Sequence, residues 1–320
     1  MKIMRILLVF ATIMCLTIDV DAQNYPKKSV TVIIPFSAGS ATDVIARGVS
    51  KKLSEIWGQQ VVAENLPGNG SMIATSAVAK AAPDGYTLLV DGAFAVNPSF
   101  HSNLPYDPLK DFTHITPLVR QPLALVVSPS AGIRSVSHLI AAVKSKPGQL
   151  KFGSPGTGSA AHLTAEKFRL MAGLNMAHIP YKGGAEVTAA TNAGDVIFSF
   201  LPVALAKNSA EKGKLLVLGV TSVQRASAMP EVPTIAEAGL AGFEYNHWWG
   251  LWGPATIPTS VVDKIGKDVT RSFTTPELRK LFSKLGVEPM SMTSTEFAKF
   301  VRSEMESVTR TVKETGMKPK

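Results

Sequence analysis

Twice in this chain an apolar strand runs into a loop of small residues, and each loop opens an amphipathic helix. The first instance reads "SVTVIIPF", "SAGSATD", "VIARGVSKKLSEIW"; the second reads "LKFGS", "PGTGSA", "AHLTAEKFRLMAG". Small side chains let a ligand approach the backbone closely. The first N–H groups of a helix have no intrahelical acceptor, and the helix dipole adds partial positive charge beside them. Such a helix start seats an anion without help from Lys or Arg. Either loop alone reads as an ordinary βα turn. The matched pair, 117 residues apart when Thr42 is set against Ser159, points to two units that clamp one anion from both sides.

The remaining chain repeats the same alternation. "QQVVAEN", "DGYTLLVDG", "PLALVVSPS", "NMAHIPY", "DVIFSF" and "KLLVLGVTS" read as strands, with helical stretches between most of them. Strand–helix alternation of this kind predicts an α/β fold with largely parallel sheets, and two series of it predict two lobes. "LPYDPLKDFTHI" reads as a Pro-rich connection, and the aromatic "EYNHWWGLWGPA" as the segment that crosses back between lobes. The expected division is lobe 1 at 23–122 plus 247–320 and lobe 2 at 123–246. Helix starts are expected at Thr234…Glu237, at Thr275-Pro276-Glu277 and at Thr293…Glu296. A final helix over 296–314 carries Phe297, Phe300, Val301, Val308 and Val312 on one face.

Residues 1–22 differ from the rest. A basic "MKIMR", an apolar "ILLVFATIMCLTI" and a closing "VDA" predict a signal peptide cleaved after Ala22. The apolar stretch is shorter than the ~20 residues a membrane span needs. Cys15, the single cysteine, falls inside it, so the exported chain would lack disulfides, a Cys nucleophile and thiolate metal sites. The formal charge of +9 is spread in ones and twos, without the aromatic interleaving of a nucleic-acid footprint. Its plainest reading is a solvated surface, compatible with mild steering of anions.

Competing chemistries fail on the same residues. Gly156-x-Gly158-x-x-Ala161 matches a dinucleotide fingerprint, but no acidic residue ends the following strand. No P-loop is present, and Phe152 spoils a G-x-S-x-G around Ser154. The six histidines show no metal spacing. Ser209-x-x-Lys212 reads as surface. Asp43 reads as a helix cap, the alternative being a partner for a ligand amine. Phe36, Tyr181 and Phe200 either wall a pocket or fill core, and core is the plainer reading. His162 reads as an orienting or exposed residue rather than a base. The tryptophans at 248, 249 and 252 read as packing at the crossing between lobes.

Taken end to end, the chain resembles the Bug (TctC-like) solute receptors of tripartite tricarboxylate transporters. The resemblance rests on "YPKKSVTVIIPFSAGSATDVIAR", "VVAENLPGNGSMIATSAVAKAAPDGYTLL", "NLPYDPLKDFTHITPL", "KPGQLKFGSPGTGSAAHLTAEKF", "MAHIPYKGG", "AMPEVPTIAEAGL" and "WWGLWGPATIP". It implies a two-lobed, type II periplasmic-binding-protein fold with the ligand cleft between lobes. It also implies a non-enzymatic, monomeric receptor for a small carboxylate, working without metal or other cofactor. The implied partners are TctA/TctB-type membrane subunits, and the implied place is the periplasm. A ligand-loaded partner of a two-component histidine kinase is the alternative. The loops would grip a carboxylate through Phe36, Ala38, Gly39, Ser40, Ala41, Thr42 and Asp43 on one side. Ser154, Thr157, Gly158, Ser159, Ala160 and His162 would serve on the other, and Asn97, Tyr181 and Phe200 would face the cleft. Two departures stand out: Ser40 replaces the second glycine of a usual Gly pair, and Ile197 stands where an Asp is common.

Overall fold

The computed structural model describes residues 25–101 and 103–316; the expected leader and its cleavage site lie outside them. β1 (Val30–Ile34) alternates buried and half-buried positions, and pairs in parallel with β2 (Val61–Asn65) and β3 (Thr87–Asp91). The helix α1 (Ala41–Trp57) follows β1, α2 (Met72–Ala79) follows β2, and the short α3 (Asn97–Phe100) follows β3. Next comes β4 (Phe112–Val127), then α4 (Val136–Lys144), β5 (Lys151–Ser154), α5 (Ala160–Met171), β6 (Ala177–Pro180) and α6 (Gly184–Ala193). β7 (Phe198–Pro202), α7 (Val203–Glu211) and β8 (Leu216–Val220) complete the second series. β9 (Asn246–Pro254), α8 (Thr259–Ser272), α9 (Pro276–Leu285), β10 (Glu288–Pro289) and α10 (Ser294–Thr315) close the chain.

The strands run in the order β2-β1-β3-β9-β4-β7-β5-β6, with β8 and β10 both paired to β4. The sixteen-residue β4 corrects the sequence reading, which made 104–115 a connection and the next apolar run a separate strand. Pro117 and Pro122 suggest a break because proline cannot donate to a ladder. Here a register irregularity falls beside Pro117, and Pro122 sits where β4 changes partners. Up to Pro122 it pairs with β9; from Leu123 it pairs with β7 and β8. Thr221 knits this point together: its N–H donates to the Leu123 carbonyl (2.9 Å), and its carbonyl accepts from the Tyr245 N–H (3.0 Å).

Helices cover both faces of each half of the sheet, so inner strands such as β3, β7 and β9 are buried on both sides, while the edge strands β2 and β6 keep exposed positions. Around β1 and β3, α1, α8 and α9 bury Ile45, Leu53, Ile265 and Phe282. The opposite face is aromatic, with Phe94, Trp248, Trp252 and Phe297. Around β5 and β7 the core is Phe152, Phe168, Phe198, Phe200 and Phe243. Val308 and Val312 of α10 reach over to Leu163 of α5 and join the two halves.

The predicted helix starts divide three ways. Thr293 and Glu296 form a full capping box on α10. Thr275 stands at the N-cap of α9 with Pro276 behind it, but its hydroxyl donates to the Ser272 carbonyl (2.7 Å) instead of capping. Thr234 and Glu237 exchange both capping-box bonds (2.9 and 3.0 Å) on a turn that never becomes a helix. Gly239 at φ +127° and Gly242 at φ +75° end it.

Candidate functional site

The two small-residue loops fold into one device built twice. Ser40 and Ser159 are the N-caps of α1 and α5, with φ/ψ of −65°/161° and −66°/157°. Ser40 Oγ accepts from the Asp43 N–H and Ser159 Oγ from the His162 N–H, each at 3.2 Å. The side chain three residues on returns the bond. Asp43 Oδ2 accepts from the Gly39 N–H at 2.9 Å, and His162 Nδ1 accepts from the Gly158 N–H at 3.0 Å. Gly39 and Gly158 reach this geometry at φ +83° and +78°, a region that side-chain-bearing residues rarely adopt. The true correspondence is Ser40 with Ser159 and Asp43 with His162. The sequence pairing of Thr42 with Ser159 is therefore two residues out of register.

Each box occupies the amides on either side of the cap and leaves the helix's own first two. These are the N–H groups of Ala41 and Thr42 on α1, and of Ala160 and Ala161 on α5; no carbonyl lies one turn earlier in either helix to take them. Ala38, Gly39 and Ala41 are exposed, and Phe36 and Ser40 half-buried; Thr157 is exposed, and Gly158, Ser159 and Ala160 half-buried. Thr42 is buried, and its Oγ1 accepts from the Trp249 Nε1–H at 2.8 Å. Ala161, equivalent to Thr42, was absent from the expected set, and only the register of the two boxes reveals it.

The acid and base of the paired boxes are themselves consumed. Burial alone would raise the Asp43 carboxyl. Hydrogen bonds from the Gly39 amide, Asn65 and Arg47 outweigh it and hold the group below the usual carboxylate range. Asp43 Oδ1 accepts from Arg47 Nε and from Asn65 Nδ2, both at 2.8 Å. Asp43 is thus the closing member of the box, while Ser40 is the cap. His162 stacks on His178 at 3.8 Å between ring centres, with its Nε2 3.7 Å from Glu166 Oε1. Burial and the neighbouring His162 push His178 down to about 4.

The other expected residues divide. Ser154 is fully buried; its Oγ lies 2.7 Å from His178 Nε2 and donates to the Gly156 carbonyl, so it braces the loop from beneath. Asn97 is buried, and its Nδ2 donates to Gly70 O and Ser71 Oγ, both at 2.7 Å, holding the 69–71 turn. Tyr181 is half-buried and packs against the apolar cluster that includes Val187 and Val203. Phe200 has no exposed surface and lies in the aromatic core between Phe168 and Phe243.

Contacts also run from one loop to the other. Trp249, bonded to Thr42, covers Gly92, where an added Cβ would lie 2.6 Å from the indole Nε1. Gly92 leads into α3, and Phe100 at its end meets the second loop: a Cβ on Gly158 would lie 3.6 Å from that ring. Both loops follow the carboxyl ends of parallel strands, the edge of an open α/β sheet at which ligands bind.

The model described as "Tripartite tricarboxylate transporter family receptor", TctC, matches residues 45–317. The chain belongs to the TctC family. BugT of Bordetella pertussis is 30% identical over 322 residues, covering 100% of this chain and 99% of BugT. The structure of R. palustris Rpa4515 with adipate is 30% identical with a TM-score of 0.75, over 92% of this chain and 100% of the other. MatC of Rhodopseudomonas palustris with bound malate is 28% identical with a TM-score of 0.70, over 90% and 100%. The two-lobed TctC receptor fold expected from the sequence is therefore the fold of this chain.

Asp91, at the carboxyl end of β3, had no part in the sequence reading. It is fully buried; Oδ1 accepts from the Ala93 N–H at 2.7 Å, and Oδ2 has no partner among the described residues. Burial pushes its pKa up to about 6, against the hydrogen bond from the Ala93 amide. The folded group thus binds its proton at a higher pH than the unfolded one. Stability is penalised while Asp91 is ionised, and it rises as pH falls from about 6 toward 4. Asp91→Asn is expected to stabilise the chain at pH 7.5 by roughly 2–3 kcal/mol and to change little at pH 4, read from urea unfolding at the two pH values.

Proposed function

We propose that this TctC-family chain is an extracytoplasmic receptor that binds a small carboxylate between its lobes and hands it to a TctA/TctB-type membrane pair. The observation that carries the reading is the duplicated capping box, which leaves two amides at each of two helix starts. Rpa4515 with adipate and MatC with malate support the choice of a carboxylate. The ligand would lie across Ala41–Thr42 and Ala160–Ala161. Ser40 and Ser159 would fix the loops, and Trp249 would orient Thr42. A binder rather than an enzyme fits the same geometry. Ser154 and His178 lie close together, but the hydroxyl is buried and committed to the loop backbone, so no substrate reaches it. Export to the periplasm follows from the leader read at 1–22.

A thermal-shift series tests the reading with adipate, malate, neutral diamides of the same length, and sugars. A carboxylate at a hundredfold excess over its Kd should stabilise the chain by about 2.7 kcal/mol, with the diamides inert. A shift with sugars and none with any carboxylate would end the proposal.

A further inference from the structure

A cavity of about 360 Å³ lies apart from both loops, between α5, the start of β9 and α10. None of the residues of the two loops lines it. Its apolar wall includes Leu163, Trp248, Met292, Phe300 and Val308, and its polar wall includes Lys167, Glu244, Asn246 and Glu304. Small-molecule pockets usually hold roughly 300–1,000 Å³, so the space suits a small guest.

The polar wall is rich in unused acceptors. Glu304 Oε2 accepts from the Trp248 Nε1–H at 3.0 Å, and no described residue donates to Oε1. Asn246 Nδ2 donates to Glu244 Oε1 at 3.3 Å, which fixes the amide's orientation; its Oδ1 is buried without a partner. The charges also lean one way. Arg120 is spent on Glu288 at 3.1 Å, which leaves Lys167 alone against Glu244 and Glu304. Lys167 Nζ donates to the Glu244 backbone carbonyl at 2.7 Å, not to either carboxylate. Burial and the nearby Glu244 raise the Glu304 carboxyl, against the hydrogen bond from Trp248 and the charge of Lys167.

We propose that this cavity is a second binding site, for a primary ammonium carrying a short apolar tail. The N–H donors of an ammonium group match the unused carboxylate oxygens of Glu304 and Glu244. Trp248 and Phe300 offer apolar surface to the methylenes of its tail. Because Leu163 and Lys167 stand on α5 while Glu304 stands on α10, the guest touches both halves of the molecule.

Calorimetric titration of the purified chain with butylammonium chloride tests the site, with butanol as the control. The expected result is saturable binding of butylammonium and none of butanol. Glu304→Gln should weaken it about tenfold or more by removing a charged acceptor. Ser303→Trp, at the exposed rim, should block the cavity without touching its polar wall. Ala160→Pro, at the carboxylate seat, should leave butylammonium binding unchanged. The proposal is overturned if no heat appears at about 10 mM, well above a millimolar Kd. It is equally overturned if Glu304→Gln binds as the parent does, or if Ala160→Pro abolishes binding and so moves the amine to the loops.

Discussion

Proline at Ala41 or at Ala160 is expected to weaken carboxylate binding by about 10- to 100-fold while leaving the melting temperature almost unchanged. Both residues are the first of their helices, where the fixed φ of proline suits the helix and its missing N–H breaks no intrahelical bond. Proline also requires an extended residue before it. Ser40 and Ser159 are already extended, with ψ of 161° and 157°. Each substitution therefore deletes one amide donor and little else. A hydrogen bond to a charged acceptor is worth about 1.5–3 kcal/mol, which sets the size of the loss. Titration with adipate or malate reads it, and the double variant should lose more than either single one; because both seats hold the same ligand, any departure from the sum measures their coupling. Two single variants that bind like the parent would remove the helix starts from the site.

The largest stability effect is expected at Trp252. The residue has no exposed surface and stacks on Phe94 at 4.4 Å, with Phe297 at 5.4 Å and Trp248 at 5.9 Å. It pairs with Leu89 on β3 and with His114 on β4, so its ring lies where three strands meet. Trp252→Ala would open a large cavity there and should cost about 3–5 kcal/mol. Its Nε1–H has no acceptor among the described residues. Trp252→Phe keeps most of the packing and removes that unpaired donor, so it should cost less than half as much. Urea unfolding followed by far-ultraviolet circular dichroism separates the two. Equal losses would show that a phenyl ring recovers none of the packing of the indole.

Much of this was legible in the chain. The periodic runs of α1 and α5, and the Ser and Gly at their heads, are local signals that need no partner to be read. What escaped depended on distant contacts. The sequence reads 104–115 as a connection and begins a strand at Pro122, and only the neighbours in β9 show a single strand from Phe112 onward. Phe200 reads as wall or core, core being the plainer, and Phe168 and Phe243 enclose it. Ser154 lies in a motif of exposed small residues, yet His178, on the next strand, turns it inward. Asp43 and His162 differ in chemistry, so their common role was hidden until the Gly39 and Gly158 amides were seen to bond to them.

The passage of β4 from its ladder with β9 into its ladders with β7 and β8 has a mechanical consequence. Two ribbons joined by a hydrogen-bonded ladder flex easily out of their plane, as a strap does, but resist sliding past each other, since every increment of slip breaks rungs. The knot at Leu123, Thr221 and Tyr245 sets where such a strap folds. A bend at that line would carry Ser40 and Ser159 apart and back along one arc.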